Sequence, residues 1–349
     1  MSGPEGAPQG LVVGVLGATG AVGSVVLDLL EERGFPASEI VPFASERSRG
    51  KSVTLAHSMA QIRVPDEDSI QGVDLVISSA GGSVSEEWAP RFVEAGAVVV
   101  DNTSFWRMHE DVPLIVPEVN GEAIDSHQGI IANPNCTTAV MLMALAPIHR
   151  RAGLERIVLS SYQAVSGTGL KAVAELEAQS KAVLEGAEPP PPEVYPHRIA
   201  YNVIPQVEVF AEGDDYTTEE RKVMAETRKI LGLGDEVAIS ATCARVPVIT
   251  GHSESINVET AEDLSPEECR ELLAAAPGVR VVDDPAAALY PTATDAAGED
   301  DVLVGRIRRD PDRPRTLNLW VAGDNLRKGA ALNAVQVAEL LVERGMVGR

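Results

Sequence analysis

Through the first third of the chain, short apolar runs alternate with stretches whose apolar residues return every three or four positions. "LVVGVLG" is an apolar run closed by glycine, and "AVGSVVLDLLEERG" after it has helical periodicity and a terminal glycine. "EIVPFAS" and "VDLVISSA" read as the second and third strands, "VSEEWAPRFVEAG" as a capped helix ending in glycine, and "AVVVDNTS" as the next strand. Strands that alternate with helices predict a parallel, doubly wound sheet.

Beyond Cys136 the pattern changes. "RIVLSSYQAVSG", "VAISATCARVPVI" and "SESINVET" are longer strands with partial alternation, while "LKAVAELEAQSKAVLEG" and "TEERKVMAETRKILG" read as helices. This predicts an α+β domain on a mixed or antiparallel sheet. "GAEPPPPEVYP" is too rich in proline for a helix or a central strand and is placed at the surface as a connector. The amphipathic "RKGAALNAVQVAELLVERG" is expected to return to the first domain. The predicted division is therefore residues 1–135, completed by the helix within 326–349, and residues 136–325. The opening "MSGPEGAPQG" reads as a flexible leader and not as a secretory signal.

Composition narrows the function classes. The chain has 349 residues, 44% of them hydrophobic, which is enough for two domains with cores of their own. Acidic residues outnumber basic ones, 52 to 29, for a formal net charge of −23. A nucleic-acid partner needs a basic face, so none is expected; the surplus reads as solubility. No run approaches the ~20 apolar residues of a membrane span. Three cysteines fit a reducing cytoplasm, and no histidine stands at metal-ligand spacing from them, so no metal site is expected.

Two local patterns carry chemistry. Gly17, Gly20 and Gly23 in "GVLGATGAVGS" are spaced G-x-x-G-x-x-G at the turn from first strand to first helix, where backbone N–H groups meet a dinucleotide pyrophosphate. Past the second strand comes "FASERSRGK": Ser45, Arg47 and Ser48 suit a 2′-phosphate and favour NADP, with Glu46 as the alternative, a ribose ligand. The second pattern is "NPNCTT". Asn133-Pro134-Asn135 keeps the chain extended up to Cys136, and a helix beginning near Thr137 aims its positive end at the sulfur, which lowers a thiol pKa. Cys243 lies in a strand and Cys269 in a surface-looking helix, and both are assigned to structure.

Together, "GATGAVG", "SAGGSVS", "DNTSFWRMHEDVPLIVPEVN", "NPNCTT", "SSYQAVSGTG", "RVPVITGHSESINVE" and "GDNLRKGAALNAVQ" resemble the bacterial, NADP-dependent aspartate-β-semialdehyde dehydrogenases from about Leu11 to Val342. The resemblance implies reduction of L-aspartyl-4-phosphate to the semialdehyde through a thioester on Cys136. It implies that His252 is the acid/base partner and that Gln163 orients the substrate. Arg245 would clamp the α-carboxylate, Glu219 the ammonium, Lys222 and Arg107 the phosphate, with Asn135 also at the substrate. The cofactor would meet Gly17, Thr19, Gly20, Ala21, Val22, Gly23, Ser45, Arg47, Ser48, Ala80 and Gly81. Ser166, Gly167 and Asn325 would lie at its nicotinamide end. A homodimer or tetramer follows from the same likeness. An unperturbed histidine pKa near 6.5 would suit His252 to proton transfer.

Three points stay open at this level. Arg245 and His252 are seven positions apart, which in a straight strand puts them on opposite faces, although Pro247 and "TG" admit a bend. Glu219 and Lys222 also read as an ordinary helical pair. Rival readings are a related acyl-phosphate or acyl-thioester reductase, acting on N-acetylglutamyl phosphate or malonyl-CoA, and a non-catalytic NADP-binding sensor.

Overall fold

The structure, a computed structural model, describes residues 10–55 and 58–348. The stretch read as a leader lies outside them apart from Gly10. In chain order the first elements are β1 (Leu11–Leu16), α1 (Ala21–Glu32), β2 (Ala37–Phe43), β3 (Ser52–Leu55), β4 (Ser58–Gln61), β5 (Leu75–Ser78), α2 (Gly82–Glu94), β6 (Val98–Asp101), α3 (Pro117–Asn120) and β7 (Ile130–Ala132). Next come α4 (Cys136–Ala152), β8 (Leu154–Gln163), α5 (Leu170–Leu184), α6 (Thr218–Leu231), β9 (Ala238–Arg245), β10 (His252–Thr260), α7 (Pro266–Ala274), β11 (Val279–Val281), α8 (Ala293–Ala296), β12 (Val302–Arg309) and β13 (Thr316–Gly323). The last is α9 (Leu332–Glu343).

The chain forms two compact units, residues 1–134 with 330–349 and residues 135–329. The first holds a parallel sheet in the order β2-β1-β5-β6-β7. Its inner strands β1, β5 and β6 are almost wholly apolar because both faces are covered. Val13, Val15, Leu75 and Ile77 pack against Leu27 and Leu30 of α1 and Val335 and Ala338 of α9. Leu16, Phe43 and Val76 pack against Ala89 and Phe92 of α2 on the opposite face, with the Phe43 and Phe92 rings edge to face at 5.5 Å. This is the doubly wound fold that the alternation predicts. α2 starts earlier than the capped-helix reading: it has no side-chain cap, and Ser85 turns instead to Asp101 at the end of β6.

The second unit is built on a mixed sheet in the order β11-β12-β13-β10-β8-β9. β8 pairs antiparallel with β10 and parallel with β9. β9 and β10 follow one another in sequence but are separated in the sheet by β8, so the chain between them crosses over that strand. The proline-rich connector forms no helix; beyond it, Ile204 exchanges both backbone hydrogen bonds with Arg245, at 2.9 and 2.8 Å. α6 begins with a full capping box, Thr217 and Glu220, worth about 1 kcal/mol. Cys243 and Cys269 are both fully buried, the latter against the surface reading of its helix; burial pushes the Cys243 thiol well above the usual thiol range and the Cys269 thiol up to about 12. No helix among the described residues is long and apolar enough to cross a membrane.

Candidate active site

In the first unit, the β1–α1 turn and the β5–α2 turn meet at the carboxyl ends of neighbouring strands. Gly17 has φ +92°, and a Cβ on it would stand 2.9 Å from the Ala80 backbone nitrogen; one on Gly23 would stand 2.2 Å from Gly17 O. Both helices open on a glycine, Gly20 and Gly81, with no side chain capping the first turn. Two glycine-opened helix N-termini side by side fit a dinucleotide's phosphates. Thr19, Ala21, Val22 and Ala80 belong to these same turns. Ser45 precedes a 3-10 turn, Glu46–Ser48. There Glu46 is taken by Arg49 through two bonds of 2.7 and 2.6 Å, while Arg47 has no ion-pair partner among the described residues. Also in this unit, the buried Arg107 donates to the carbonyls of Asn133 and Asn102, both at 2.9 Å. Asn133 in turn is held by Asn102 and Asn333.

The second unit gathers the remaining predicted residues at one end of its sheet. Gln163 pairs with Arg245 across β8 and β9. Tyr162 pairs with Ser253, so Gln163 and His252 fall side by side across β8 and β10, and His252 pairs with Gly323 on β13. Arg245, Gln163 and His252 therefore stand in one row on three strands. The seven-residue spacing is resolved by the crossover and needs no bend within a strand. At the end of the row Gly323 has no side chain for a reason: a Cβ there would meet Val140 of α4 at 2.8 Å. Close approach of α4 carries Cys136, one turn above Val140, onto the row. Cys136 Sγ lies 3.2 Å from His252 Nε2.

α4 is seated by its own cap and by α6. Asn135 Oδ1 accepts from Thr137 N at 2.8 Å, and Asn135 Nδ2 donates to both oxygens of Glu219. The backbone N–H of Asn135 donates to Glu226 at 2.6 Å. Glu219 and Glu226 are two turns apart and share a helix face, so α6 grips the residue before the sulfur through two buried carboxylates. Local sequence patterns gave no sign of Glu226. Gln163 Nε2 is spent on Glu219 (3.0 Å) and Ser161 (3.2 Å), which leaves its carbonyl oxygen for another group. Lys222 is held between Glu208 and Glu219. Asn325 uses both ends of its amide, on Gly251 N and on Ser166 Oγ, each at 2.9 Å; it braces the turn that carries Gly167. A Cβ on Gly167 would stand 3.3 Å from Arg245 Nη1 and 3.4 Å from His252 Cε1.

Two buried groups in this unit lack ordinary compensation. Arg245 is 5% exposed, binds Ala164 O through Nη1 at 2.7 Å, leaves Nε unpartnered, and has no carboxylate partner among the described residues. A buried cation without a counter-charge is a place for an anion. Glu254 lies two residues along β10 from His252, fully buried, with neither carboxyl oxygen hydrogen-bonded. Burial pushes its pKa well above the usual 4.5. A carboxyl that stays protonated in the fold must take up a proton on folding once the unfolded chain has ionised, so it costs stability at every pH above about 4.5. Glu254→Gln removes that cost. The melting temperature of the variant minus that of wild type is expected to rise steadily from pH 4 towards pH 8, and a difference independent of pH would contradict it.

Residues 12–127 match the family model described as semialdehyde dehydrogenase, NAD binding domain, and residues 145–328 the one described as semialdehyde dehydrogenase, dimerisation domain. The aspartate-semialdehyde dehydrogenase of Aquifex aeolicus is 52% identical over 342 residues, covering 97% of this chain and 100% of the relative. The chain belongs to the aspartate-semialdehyde dehydrogenase family. Among solved structures, aspartate semialdehyde dehydrogenase II from Vibrio cholerae, complexed with ASA, has a TM-score of 0.92 at 43% identity, over 96% of this chain and 99% of that one. The aspartate semialdehyde dehydrogenase of Candida albicans, with NADP, has a TM-score of 0.75 at 27% identity, over 96% and 99%. Membership of the aspartate-semialdehyde dehydrogenase family makes the chain an oxidoreductase with a nicotinamide-cofactor domain.

Proposed function

We propose that the chain reduces L-aspartyl-4-phosphate to L-aspartate-4-semialdehyde with release of phosphate, in the biosynthesis of lysine, threonine, methionine and isoleucine. The observation that carries this reading is the Cys136–His252 contact set beside a buried Arg245 that has no carboxylate partner among the described residues. The Cys136 thiolate attacks the acyl carbon, forms the C–S bond and displaces phosphate, dividing one hard substitution into two easier steps. The hydride that would take the acyl group to the aldehyde level is what NADPH would supply when bound. Collapse then breaks the C–S bond and returns the electron pair to sulfur. Arg245 binds the substrate α-carboxylate through its planar fork. The Gln163 carbonyl orients the acyl group. Glu219, already shared by Asn135, Gln163 and Lys222, is the ammonium partner. Arg107 and Lys222 are the residues assigned to phosphate, Lys222 exchanging its carboxylate contacts for it.

Gly17, Thr19, Gly20, Ala21, Val22, Gly23, Ala80 and Gly81 are assigned to the cofactor phosphates, and Ser166, Gly167 and the bracing Asn325 to the nicotinamide end. NADP is the cofactor we propose, because Arg47 has no ion-pair partner among the described residues while Glu46, the alternative ribose ligand, is occupied by Arg49. Arg47→Ala is expected to raise KM for NADP about 10- to 100-fold, the equivalent of one charge-assisted contact, with NAD affected less than twofold. Equal loss with both cofactors would place the 2′-phosphate grip elsewhere. We assign residues 1–135 with the C-terminal helix to cofactor binding and the intervening residues to catalysis and to a homodimer formed through the second unit's sheet, in the cytoplasm. The reaction is tested by mixing the protein with aspartate semialdehyde, phosphate and NADP and following reduced nicotinamide absorbance. Signal requiring all three is expected. Cofactor binding without turnover would favour the sensor reading.

A further inference from the structure

The connector "GAEPPPPEVYP" is tied down at its far end by the helix that precedes it. On α5, Glu175 Oε2 accepts from the backbone N–H groups of Glu193 and Val194, both at 2.7 Å. One turn further, Gln179 Oε1 accepts from those of Ile199 and Ala200, at 3.1 and 3.2 Å. Gln179 is fully buried, and a buried amide is costly unless it is bonded; its oxygen goes wholly to this backbone. Ile199 and Ile204 join Ala172 and Leu176 of α5 and Val165 in a small core, and the half-buried Tyr195, between the two clasps, packs against it. A stretch whose prolines mark it as a surface link is therefore, from Glu193 onward, part of the packing of the second unit.

Tyr195 reaches two parts of the site. Its hydroxyl donates to Thr168 Oγ1 at 3.1 Å, in the same 3-10 turn, Val165–Thr168, that carries Ser166 and Gly167. Its ring centre lies 5.9 Å from the Arg245 guanidinium carbon, within the ~6 Å reach of a cation–π contact. Burial pushes the Tyr195 pKa above its usual 10, with the Arg245 charge opposing. The ring is thus a neutral phenol near pH 7 and offers the cation a face in place of a counter-charge. Arg245 has use for one. Nη1 is anchored on Ala164 O, but no carboxylate among the described residues aims the rest of the fork. An aromatic face holds a guanidinium plane without consuming its N–H groups, which stay available to a planar anion.

We infer that Tyr195 is a positioning residue for Arg245, its ring setting the plane of the guanidinium that takes the substrate α-carboxylate. The far end of the connector thereby belongs to substrate recognition, with Glu175 and Gln179 holding it in place. The inference rests on Arg245 being the carboxylate clamp, as proposed above.

Tyr195→Leu keeps an apolar side chain against the small core and removes the aromatic face. In the full-length protein its KM for aspartate semialdehyde is expected to rise about three- to tenfold, the range of one partly buried cation–π contact, while KM for phosphate and for NADP stays within twofold. Tyr195→Phe, which keeps the ring, should recover most of that loss. With Arg245→Gln already in place no cation faces the ring, and Tyr195→Leu should then cost less than twofold more. An unchanged KM in Tyr195→Leu, an equal loss in Tyr195→Phe, a joint rise in all three KM values, or the full loss repeated beside Arg245→Gln would each overturn the inference. Melting temperatures of wild type, the two single variants and the double variant judge the contact without turnover. The drop caused by Tyr195→Leu should shrink when residue 245 is already glutamine, and strictly additive drops would overturn the contact. Coupled drops in a wild-type protein inert towards aspartate semialdehyde, phosphate and NADP would keep the contact and overturn the function proposed above.

Discussion

Cys136→Ser is expected to lower turnover by at least about four orders of magnitude while NADP binding stays within twofold of wild type. The serine hydroxyl occupies nearly the same volume at the first position of α4, so the Asn135 cap and its contacts with Glu219 and Glu226 are retained. What is lost is the ionisable sulfur. A hydroxyl is a far weaker nucleophile at neutral pH, and its oxygen ester would be a poorer acceptor for the second step. Initial rates in the reduced nicotinamide band, set beside calorimetric titration with NADP, separate the two quantities. Rates within tenfold of wild type would move the nucleophile elsewhere. Loss of NADP affinity would mean that Cys136 serves the cofactor and not the acyl group.

Arg245→Lys is the second large effect expected. The arginine backbone is fixed on both sides by Ile204, Nη1 is anchored on Ala164 O, and Nε is buried without a partner. That arrangement leaves part of a planar fork, rigidly held, for a carboxylate. Lysine keeps the charge but is a point donor on a flexible stem. The loss should appear as a rise in KM for aspartate semialdehyde, with kcat/KM falling about 10- to 100-fold, the 1.5–3 kcal/mol of a hydrogen bond to a charged group. Circular dichroism should show the same folded fraction as wild type under assay conditions. Wild-type KM in this variant would assign the carboxylate clamp to another residue.

Much of this organisation was legible in the chain because its causes are local. β1, β5 and β6 announce themselves as apolar runs, since a parallel sheet covered on both faces demands them, and the glycine turn marks its own place at the end of β1. Cys136 stood out through its neighbours: an extended X-Pro step and a helix start. The short β3–β4 pair and the three-residue β7 escaped notice because short polar or bounded strands carry little periodicity. β12 and β13, "VLVGRIRR" and "TLNLWVAG", become readable only through their partners in the sheet.

The less legible features of the site depend on register between distant segments. Arg245 and His252 looked opposed because strand periodicity was counted along one strand, whereas the chain crosses β8 between them. Gly323 matters only because Val140 sits over it. Glu226 contacts a backbone N–H 91 positions away, and no residue type advertises such a bond. The histidine shows the same limit: no local pattern announces that its ring is fully buried or that Ala164 N–H donates to its Nδ1.

The most direct measurement withholds phosphate. Protein mixed with aspartate semialdehyde and NADP alone has no acceptor for the acyl group, so a single burst of about one reduced nicotinamide per active site is expected. Denatured protein from that mixture should carry an aspartyl mass on the peptide containing Cys136, and adding phosphate should remove the adduct and restart turnover. A burst with the mass on another residue, or no reduction until phosphate is supplied, would contradict the thioester.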